Sequence, residues 1–569
     1  MENELLAIVS VLLLLSAVVG AQPGKFTFLQ EASSSASSNE EYDYIVVGGG
    51  TAGCPLAATL SEKFKVLLLE RGGVPYGNPD IERIEMFVHN LVWTNATSPA
   101  QAFISEDGVI NRRPRVLGGG TCLNAGFYTR ASQEFIQKAG WDEKLVDESY
   151  SWVENVVAFA PELKQWQSAV RRGLLEVGIL PDNGVTYDHL IGTKTGGSIF
   201  DSNGHRHTAA DLLKYANPSS IKVMLHATTN KILFTDSSLT LRLSADSERP
   251  RAYGVVYTDT SGMEHRAVLN SNPRSEVILS AGALGSPQLL MLSGIGPEEH
   301  LKAFQIPVIM NAPNVGQGMA DNPMNAIFVP SPKPLEVSLV EVVGITSFGS
   351  FIESASPALG ITMISSVPPP LRTPSFIQAV QNQLQEMSSY LPRTGVLMEK
   401  VDGPVSSGYL KLRNTDPHDN PAVRFNYFSD TQDLNKCVQG IQLIQRVIGS
   451  SSMTSFTYVN PEEIPEPMLK FVSLLGNLLP LDTSNRIAME TFCRATVNTI
   501  WHYHGGCQVG RVVDDSHRVI GVNNLRVVDG STFLSSPGTN PQATVMMMGR
   551  QVYGCEYPQG TWIRLLISI

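Results

Sequence analysis

The chain has 569 residues, of which 43% are hydrophobic and 17% are charged, and its formal net charge is -11. These values are typical of a globular protein large enough for two or more hydrophobic cores. The acidic balance argues against a nucleic-acid partner, because it leaves little basic surface to neutralise phosphates. The six cysteines are too few for a disulfide scaffold, and none of them forms a C-x-x-C pair that would suggest a metal site.

The N-terminus has the pattern of a targeting segment. Residues 5–19 are an apolar run too short to span a membrane, and small residues follow it, so 1–21 is predicted to be a signal peptide. No basic residue precedes the run, so an N-terminal membrane anchor is the alternative. Residues 22–41 form a Ser-rich linker that is expected to be disordered. We therefore expect a secreted protein without an integral membrane span, in which the sequon at Asn95 is available for glycosylation.

Residues 42–70 predict a dinucleotide-binding unit. A glycine-rich turn and a helix stand between two predicted strands, 44–47 and 65–69, and Glu70 follows the second strand. The glycines follow the pattern G-x-G-x-x-G and are Gly48, Gly50 and Gly53. They allow a tight turn, the approach of backbone to a pyrophosphate, and close packing of helix on strand, while the helix N-terminus attracts the phosphates. Glu70 can accept hydrogen bonds from ribose hydroxyls, but this unit does not distinguish FAD from NAD.

A second glycine-rich segment, residues 115–128, reads RVLGGGTCLNAGFY. Three consecutive glycines carry no Cβ, so their backbone can lie against a planar ring or a phosphate. A flexible loop is the alternative, but apolar residues on both sides favour a buried position. Further along, 223–229 and 231–234 are predicted strands, and a third strand, 277–280, leads into a helix predicted to begin near Ser286.

The segments 115–128 and 282–296 resemble, in this order, the two signatures of the glucose-methanol-choline (GMC) family of FAD oxidoreductases. The resemblance continues in the motifs ADNP, WHYHGG and SPGTNPQAT and runs over residues 42–550. Within the family, the chain most resembles the plant branch that includes HOTHEAD-type proteins and mandelonitrile lyases.

This resemblance implies an α/β fold with an FAD-binding domain of Rossmann type and a second, α+β substrate domain built on an antiparallel sheet. The FAD-binding domain is expected in three pieces, 42–130, 201–324 and 495–550, the last of which carries the catalytic residues. The substrate domain is expected at 131–200 and 325–494, with 335–397 lining the substrate cavity. Residues 551–569 are a divergent tail that no longer matches the family's C-terminal helix. A disulfide between Cys437 and Cys493 is also implied by plant relatives.

The resemblance also implies which residues bind the cofactor and which react. His502 takes the position of the family's base, and Asn540 takes the second position, where it can hydrogen-bond the substrate oxygen. Non-covalent FAD is expected, because Leu123 stands where covalent members carry the linking histidine. The expected FAD-binding residues are Gly48, Gly50, Thr51, Ala52, Gly53, Glu70, Arg71, Val116, Gly120, Thr121, Asn124, Ala125, Gly126, Phe127, Thr229, Trp501, Asp529, Gly530, Pro541 and Gln542.

The chemistry of His502 suits the role that the resemblance gives it. An imidazole has the intrinsic pKa for reversible proton transfer near neutral pH. His504 lies two residues further on, so on an extended backbone the two rings point to opposite faces, and only His502 is expected to face the flavin. A metal site of the H-x-H kind is the alternative, but no third spaced ligand is visible, and no metal is predicted.

Three functions are compatible with these residues. The first is FAD-dependent oxidation of a small-molecule alcohol, with proton abstraction at His502 and hydride transfer to flavin N5. Long-chain ω-hydroxy fatty acids are the candidate substrate that the resemblance implies. The second is a hydroxynitrile lyase in which FAD is structural, and the third is a secreted FAD-binding protein without turnover.

Overall fold

The structure is a computed structural model, and it describes residues 26–32, 40–92, 94–95, 97–235, 249–357, 390–469, 483–538 and 540–554. The predicted signal peptide, 1–21, lies outside these residues. The centre of the apolar region 335–397 and the end of the C-terminal tail lie outside them as well. Among the described residues, no helix is long and apolar enough to cross a membrane.

A six-stranded sheet forms the first layer, and every neighbouring pair in it is parallel. Its strands, in spatial order, are Leu29–Glu31, Ile221–Leu225, Val66–Leu69, Tyr44–Val47, Glu276–Leu279 and Leu525–Val527. The strand Tyr44–Val47 is buried at all four positions, because helices and a second sheet cover both faces. The predicted strand 44–47 is therefore confirmed, and the second predicted strand begins one residue later than expected.

The expectation that the whole Ser-rich linker is disordered is wrong for its first part. Leu29–Glu31 adds a parallel edge strand to the six-stranded sheet, and Leu29 lies opposite Val223. The rings of Phe26 and Phe28 stack at 5.2 Å, and both contact the core beside this strand. The apolar run that precedes the serines supplies this packing, while 33–39 lies outside the described residues.

A seven-stranded sheet forms the second layer, and it is antiparallel except at its last pair, which is parallel. Its strands, in spatial order, are Asn498–Thr499, Pro323–Pro330, Thr394–Val401, Ser350–Ala355, Val342–Ile345, Gly192–Thr195 and Asp182–Val185. The helices Gln165–Glu176 and Thr431–Ile448 pack on one face of this sheet. The opposite face, which we call the cavity face, turns toward the six-stranded sheet and carries Phe351, Ala355, Val396 and Met398.

Smaller sheets and further helices complete the fold. The other strands are Glu41–Tyr42, Ala100–Ile104, Ile110–Pro114, Phe127–Tyr128, Gly197–Ser198, Thr228–Phe234, Ala252–Thr258, Glu264–Leu269, Ile295–Gly296, Met310–Asn311, Gln317–Met319, Gly408–Lys411 and Ala422–Arg424. The other α-helices are Gly53–Ser61, Pro79–Glu82, Phe87–Val92, Gln133–Lys138, Glu143–Val157, Gly282–Leu292, Glu298–Ala303, Arg486–Ala495 and Gln542–Gly554. An α/β fold with a parallel and an antiparallel layer is thus observed, as the resemblance implied.

Three further differences from the predicted elements bear on the site. His226 adopts a left-handed φ of 51°, which ends the parallel strand at Leu225 and starts a new strand at Thr228, so the break predicted at Asn230 is only an irregularity within that strand. The helix predicted from Ser286 begins at Gly282, where Asp529 accepts the hydrogen bond of the backbone N–H. The C-terminal helix continues to Gly554, four residues beyond the point where the tail was expected to diverge.

The disulfide between Cys437 and Cys493 is present. It joins the helix Thr431–Ile448 to the helix Arg486–Ala495 behind the seven-stranded sheet, in the core that both helices share. This pairing confirms the prediction, and it fastens the layer that supports the cavity face.

Candidate active site

A large cavity lies between the carboxyl ends of the parallel strands and the cavity face of the antiparallel sheet. Its empty volume, including the mouth, is about 2040 Å³. Val47, Leu69, Ser280 and Asp529 reach it from the parallel layer, while Glu353 and Met398 reach it from the antiparallel layer. Ligands of open parallel sheets bind at this edge, so the topology itself places the site.

The three motif glycines have different roles in the wall of the cavity. A Cβ on Gly48 would lie 2.5 Å from the carbonyl oxygen of Ser280, and a Cβ on Gly53 would lie 1.9 Å from that of Gly48, so both are needed for protein packing. A Cβ on Gly50 would meet no described protein atom nearer than 3.8 Å. Gly50 lines the cavity ahead of the helix Gly53–Ser61, so it leaves room for a phosphate at the helix N-terminus.

Glu70 does more than the sequence suggested. Its Oε2 accepts the backbone N–H of Gly49 at 2.9 Å, and its Oε1 accepts that of Gly72 at 2.8 Å. The carboxylate thus holds the glycine turn while lining the cavity, where its remaining lone pairs face a ligand. Burial raises the pKa of Glu70, and the two backbone hydrogen bonds and Arg71 oppose that rise.

The second glycine-rich segment is held in place by buried polar contacts. Thr121 donates from Oγ1 to the carbonyl of Gly118 at 2.7 Å and accepts the N–H of Ala209 at 2.9 Å. The guanidinium of Arg206, which is 3% exposed, donates to the carbonyls of Thr121 and Asn124. Arg206 was not predicted as a site residue. It stands between His205 and His207, and the local sequence does not indicate that its guanidinium reaches the glycine-rich segment more than 80 residues earlier.

The same segment is joined to the start of the C-terminal helix. Asn124 donates from Nδ2 to Oε1 of Gln542 at 2.8 Å, and Gln542 donates from Nε2 to the carbonyl of Phe127 at 2.6 Å. These two bonds bridge more than 400 residues of sequence, and all three residues line the cavity. The contact therefore fixes the loop against the C-terminal segment where a flavin ring would be held.

His502 projects into the cavity from a strained turn that follows the strand Asn498–Thr499. Trp501 has a left-handed φ of 61°, and its N–H donates to Oγ1 of Thr499 at 2.8 Å. Among the described residues, Nδ1 of His502 and Nε1 of Trp501 are buried without a hydrogen-bond partner. Burial, together with the Lys400 ammonium and His504, holds the pKa of His502 well below its usual range. The imidazole is therefore neutral and able to accept a proton.

His504 takes no part in lining the cavity. Its ring nitrogen Nδ1 lies 3.0 Å from the carbonyl oxygen of His502, and its side chain is buried. Among the described residues, no group of three His, Cys, Asp or Glu side chains could hold a metal ion. The second histidine of the motif thus supports the backbone of the first.

Asn540 lines the cavity beside a buried ion pair. The ammonium of Lys400 lies 2.6 Å from Oε1 of Glu353 and donates to Oδ1 of Asn540 at 3.0 Å. Neither Lys400 nor Glu353 was predicted as a site residue, although Glu353 lies in the region 335–397 that was expected to line the cavity.

Of the residues predicted to form the site, eighteen of the twenty FAD-binding residues and both catalytic residues line this one cavity. Gly53 and Thr121 do not line it but support the two glycine-rich turns from behind. Leu339, Val340 and Glu353 also line the cavity and belong to the region 335–397 that was expected to do so. Residues that line the cavity but were not predicted include Arg112, Arg113, Leu284, Gln288 and Met398.

Comparison with known proteins decides the family. The two parts described as GMC oxidoreductase match residues 42–324 and 404–549, which together are more than half of the chain. The chain belongs to the GMC oxidoreductase family. This GMC oxidoreductase is 49% identical over 555 residues to Protein HOTHEAD of Arabidopsis thaliana, with 93% of this chain and 92% of that protein covered.

Two further comparisons place the GMC oxidoreductase among its relatives. It is 50% identical over 535 residues to an Arabidopsis thaliana protein named (R)-mandelonitrile lyase-like, with 94% of this chain and 92% of that protein covered. The fold is similar to a crystal structure of formate oxidase, with a TM-score of 0.73 at 18% identity, covering 92% of this chain and 99% of that one.

FAD is the cofactor of this GMC oxidoreductase, and the cavity fits it. Gly50 and the helix N-terminus behind it provide room and N–H groups for the pyrophosphate, and the Glu70 carboxylate stands beside them for a ribose. At the other end, the backbone of Gly119 and Gly120 and the segment 124–127 offer a flat wall for the isoalloxazine. His502 and Asn540 line the same cavity.

Proposed function

We propose that this GMC oxidoreductase oxidises an alcohol, with His502 as the base that removes the hydroxyl proton and Asn540 as the residue that orients the oxygen. Bound FAD supplies the two-electron acceptor for the hydride of the carbinol carbon. The protein supplies a neutral imidazole and an amide that can hold the substrate oxygen.

The observation that carries the proposal is the pairing of a buried, neutral histidine with an asparagine on one cavity wall. The imidazole can accept the hydroxyl proton, and its buried Nδ1 has no hydrogen-bond partner among the described residues. An amide does not protonate near neutral pH, so Asn540 can hold an oxygen but cannot shuttle a proton. One base and one orienting group are what alcohol oxidation requires of the protein.

A hydroxynitrile lyase is the second candidate, because one relative at 50% identity bears the name (R)-mandelonitrile lyase-like. The resemblance implies that mandelonitrile lyases of this family carry a second histidine at the position of Asn540. Their two histidines would transfer the proton of hydrogen cyanide and make the site positively charged. Asn540 cannot take that part, so we favour the redox function. The third function, FAD binding without turnover, is what a complete lack of reaction would indicate.

We further propose an apolar substrate and a secreted protein. The cavity wall on the substrate side carries Leu339, Val340, Ala355, Met398 and Ile500, which favour a long aliphatic chain over a sugar. Long-chain ω-hydroxy fatty acids therefore stay our candidate substrate. A structural disulfide is typical of the secretory pathway and supports the expected signal peptide.

The proposal is tested by mixing the purified yellow holoprotein with primary alcohols, including an ω-hydroxy fatty acid, in the absence of oxygen. We expect at least one alcohol to bleach the flavin absorbance. Replacing His502 by Ala should slow bleaching by about 10²- to 10⁴-fold while the protein keeps its FAD. His205→Ala is the matched control, since His205 is exposed and should bleach at the wild-type rate.

The same preparation distinguishes the alternatives. Release of cyanide from mandelonitrile with an unreduced flavin would assign the protein to the lyases. A flavin that no alcohol reduces, together with no cyanide release, would indicate a binding protein.

A further inference from the structure

A buried ion pair interrupts the apolar cavity face of the seven-stranded sheet. Lys400 and Glu353 belong to the adjacent antiparallel strands Thr394–Val401 and Ser350–Ala355. In the register of this pair, Lys400 lies opposite Phe351 and Glu353 lies opposite Met398. Because side chains alternate along a strand, all four stand on the same face of the sheet.

The pair is fully enclosed. The side chain of Lys400 is 0% exposed and that of Glu353 is 1% exposed, and Nζ also lies 4.5 Å from the centre of the Phe351 ring. Taking two charges out of water costs several kcal/mol each, and apolar side chains of similar size are often at least as stable in such a place. Fold stability therefore gives little reason to keep this pair among Ala355, Val396 and Met398.

The third partner of the ammonium supplies a reason. An ammonium has three N–H donors and no acceptor, so it must contact the oxygen of the Asn540 amide rather than its nitrogen. The distance of 3.0 Å from Nζ to Oδ1 fits that bond. With Oδ1 turned to Lys400, the Nδ2 hydrogens are the donors that Asn540 can offer to a substrate oxygen.

We propose that Lys400 is a positioning residue of this active site: it fixes the orientation of the Asn540 amide. Glu353 is its counter-ion and holds the ammonium on the cavity face. The effect on catalysis rests on the proposed function. The orientation of the amide is a property of the resting protein and does not depend on turnover.

The charges around Lys400 and His502 are consistent with this assignment. Burial lowers the pKa of the Lys400 ammonium, and the carboxylates of Glu353, Asp402 and Asp321 oppose this. Burial also lowers the pKa of His502, and the Lys400 ammonium is the next largest cause, followed by His504. Burial lowers the pKa of the nearby His189, whose ring stacks on Phe351; Asp402 opposes this, while Lys194 and Lys400 add to it.

The experiment compares three variants in two backgrounds, the wild type and Asn540→Ala. Lys400→Met removes the ammonium, and Lys400→Met with Glu353→Gln removes both charges, so that no carboxylate is left unpaired if the single variant folds poorly. Asn540→Ala removes the amide. Lys436→Met is the matched control, because Lys436 donates to backbone carbonyls of Asp402 and Gly403 and has no contact with Asn540.

The first readout is the rate of flavin reduction by the preferred alcohol. We expect the double neutral variant to slow it by about 10-fold or more, and the same change to have almost no effect when Asn540 is already Ala. Lys436→Met should keep the wild-type rate. An equal loss in both backgrounds, or no loss in either, would overturn the positioning role.

The second readout is the side-chain amide of Asn540, followed by NMR on asparagine-labelled oxidised holoprotein without alcohol and assigned by the resonances lost in Asn540→Ala. Removing Lys400 and Glu353 together should shift and broaden these resonances, because the amide loses the ammonium that fixes its orientation. Lys436→Met should leave them unchanged. Asn540 resonances as sharp as those of the wild type in the double neutral variant would overturn the positioning role. This readout decides the matter even if no alcohol reduces the wild-type flavin, which would be a failure of the proposed function alone.

Discussion

The carboxylate of Asp321 holds the backbone of His502: its Oδ1 accepts the N–H of His502 at 2.8 Å. Its Oδ2 accepts the hydroxyls of Tyr427 at 2.6 Å and Thr499 at 2.7 Å. Between Thr499 and His502 the chain passes through the left-handed Trp501. Such a conformation costs about 1–3 kcal/mol for a non-glycine residue and persists only when its surroundings enforce it. Asp321 therefore positions the proposed base through the main chain.

Replacing Asp321 by Asn should slow flavin reduction without releasing FAD. The amide retains one acceptor oxygen, but it presents an NH₂ group where the carboxylate accepted hydrogen bonds, so the turn at Trp501 loses part of its support. We expect a rate loss of about 10-fold or more, because a small displacement of the base is costly. Tyr427→Phe removes only one donor and should cost less. A larger loss in Tyr427→Phe than in Asp321→Asn would contradict this ranking.

The pH dependence should reflect the buried state of the site. Burial, Lys400 and His504 hold the pKa of His502 well below 6.5, so the imidazole stays unprotonated as the pH falls through that value. Burial raises the pKa of Asp321 to about 6, against the effect of its hydrogen bonds. Loss of activity on acidification is therefore expected at about pH 6 or lower, seen in the second-order rate of flavin reduction. An acid limb centred above pH 6.5 would show that the base is solvated.

FAD should be released completely when the protein is precipitated with acid. Leu123 has no nucleophile, and the neighbouring Cys122 is fully buried and donates from its thiol to the carbonyl of Leu117 at 3.2 Å. Burial raises the pKa of the Cys122 thiol to about 12, so it is not a thiolate at neutral pH. We expect all of the yellow colour in the supernatant, measured by absorbance. Flavin retained on the pellet and lost in Cys122→Ser would identify a covalent bond.

Local sequence predicted the parallel layer well, because its constraints lie within a few residues of each other. The strand 44–47 and the roles of Gly48 and Gly53 follow from sterics that one turn imposes. The turn at His226 was missed, since a left-handed histidine leaves no signal in the pattern of apolar residues. A single strand was therefore predicted where the chain passes from one sheet to another.

The substrate side of the site was less accessible to sequence reasoning. Lys400 and Glu353 are in contact only because their two strands pair in the antiparallel sheet. From the sequence alone, a charged residue in an apolar segment is predicted to lie at the surface. Arg206 and Asp321 act through backbone carbonyls and N–H groups that sequence does not place. The proposed catalytic pair, His502 and Asn540, came from the resemblance, and the structure adds the groups that contact it.

The motif glycines give the sharpest test of the cofactor site, because two of them differ in what a methyl group would meet. In Gly53→Ala the new Cβ would lie 1.9 Å from the carbonyl oxygen of Gly48, so the helix must shift and the protein should be poorly folded. In Gly50→Ala the nearest described protein atom lies 3.8 Å away, so the apoprotein should unfold at the wild-type temperature. The methyl group would instead occupy space that the pyrophosphate needs. We expect Gly50→Ala to weaken FAD binding by about 10-fold or more, measured by titrating apoprotein with FAD. Wild-type FAD affinity in a folded Gly50→Ala protein would show that the pyrophosphate lies elsewhere in the cavity.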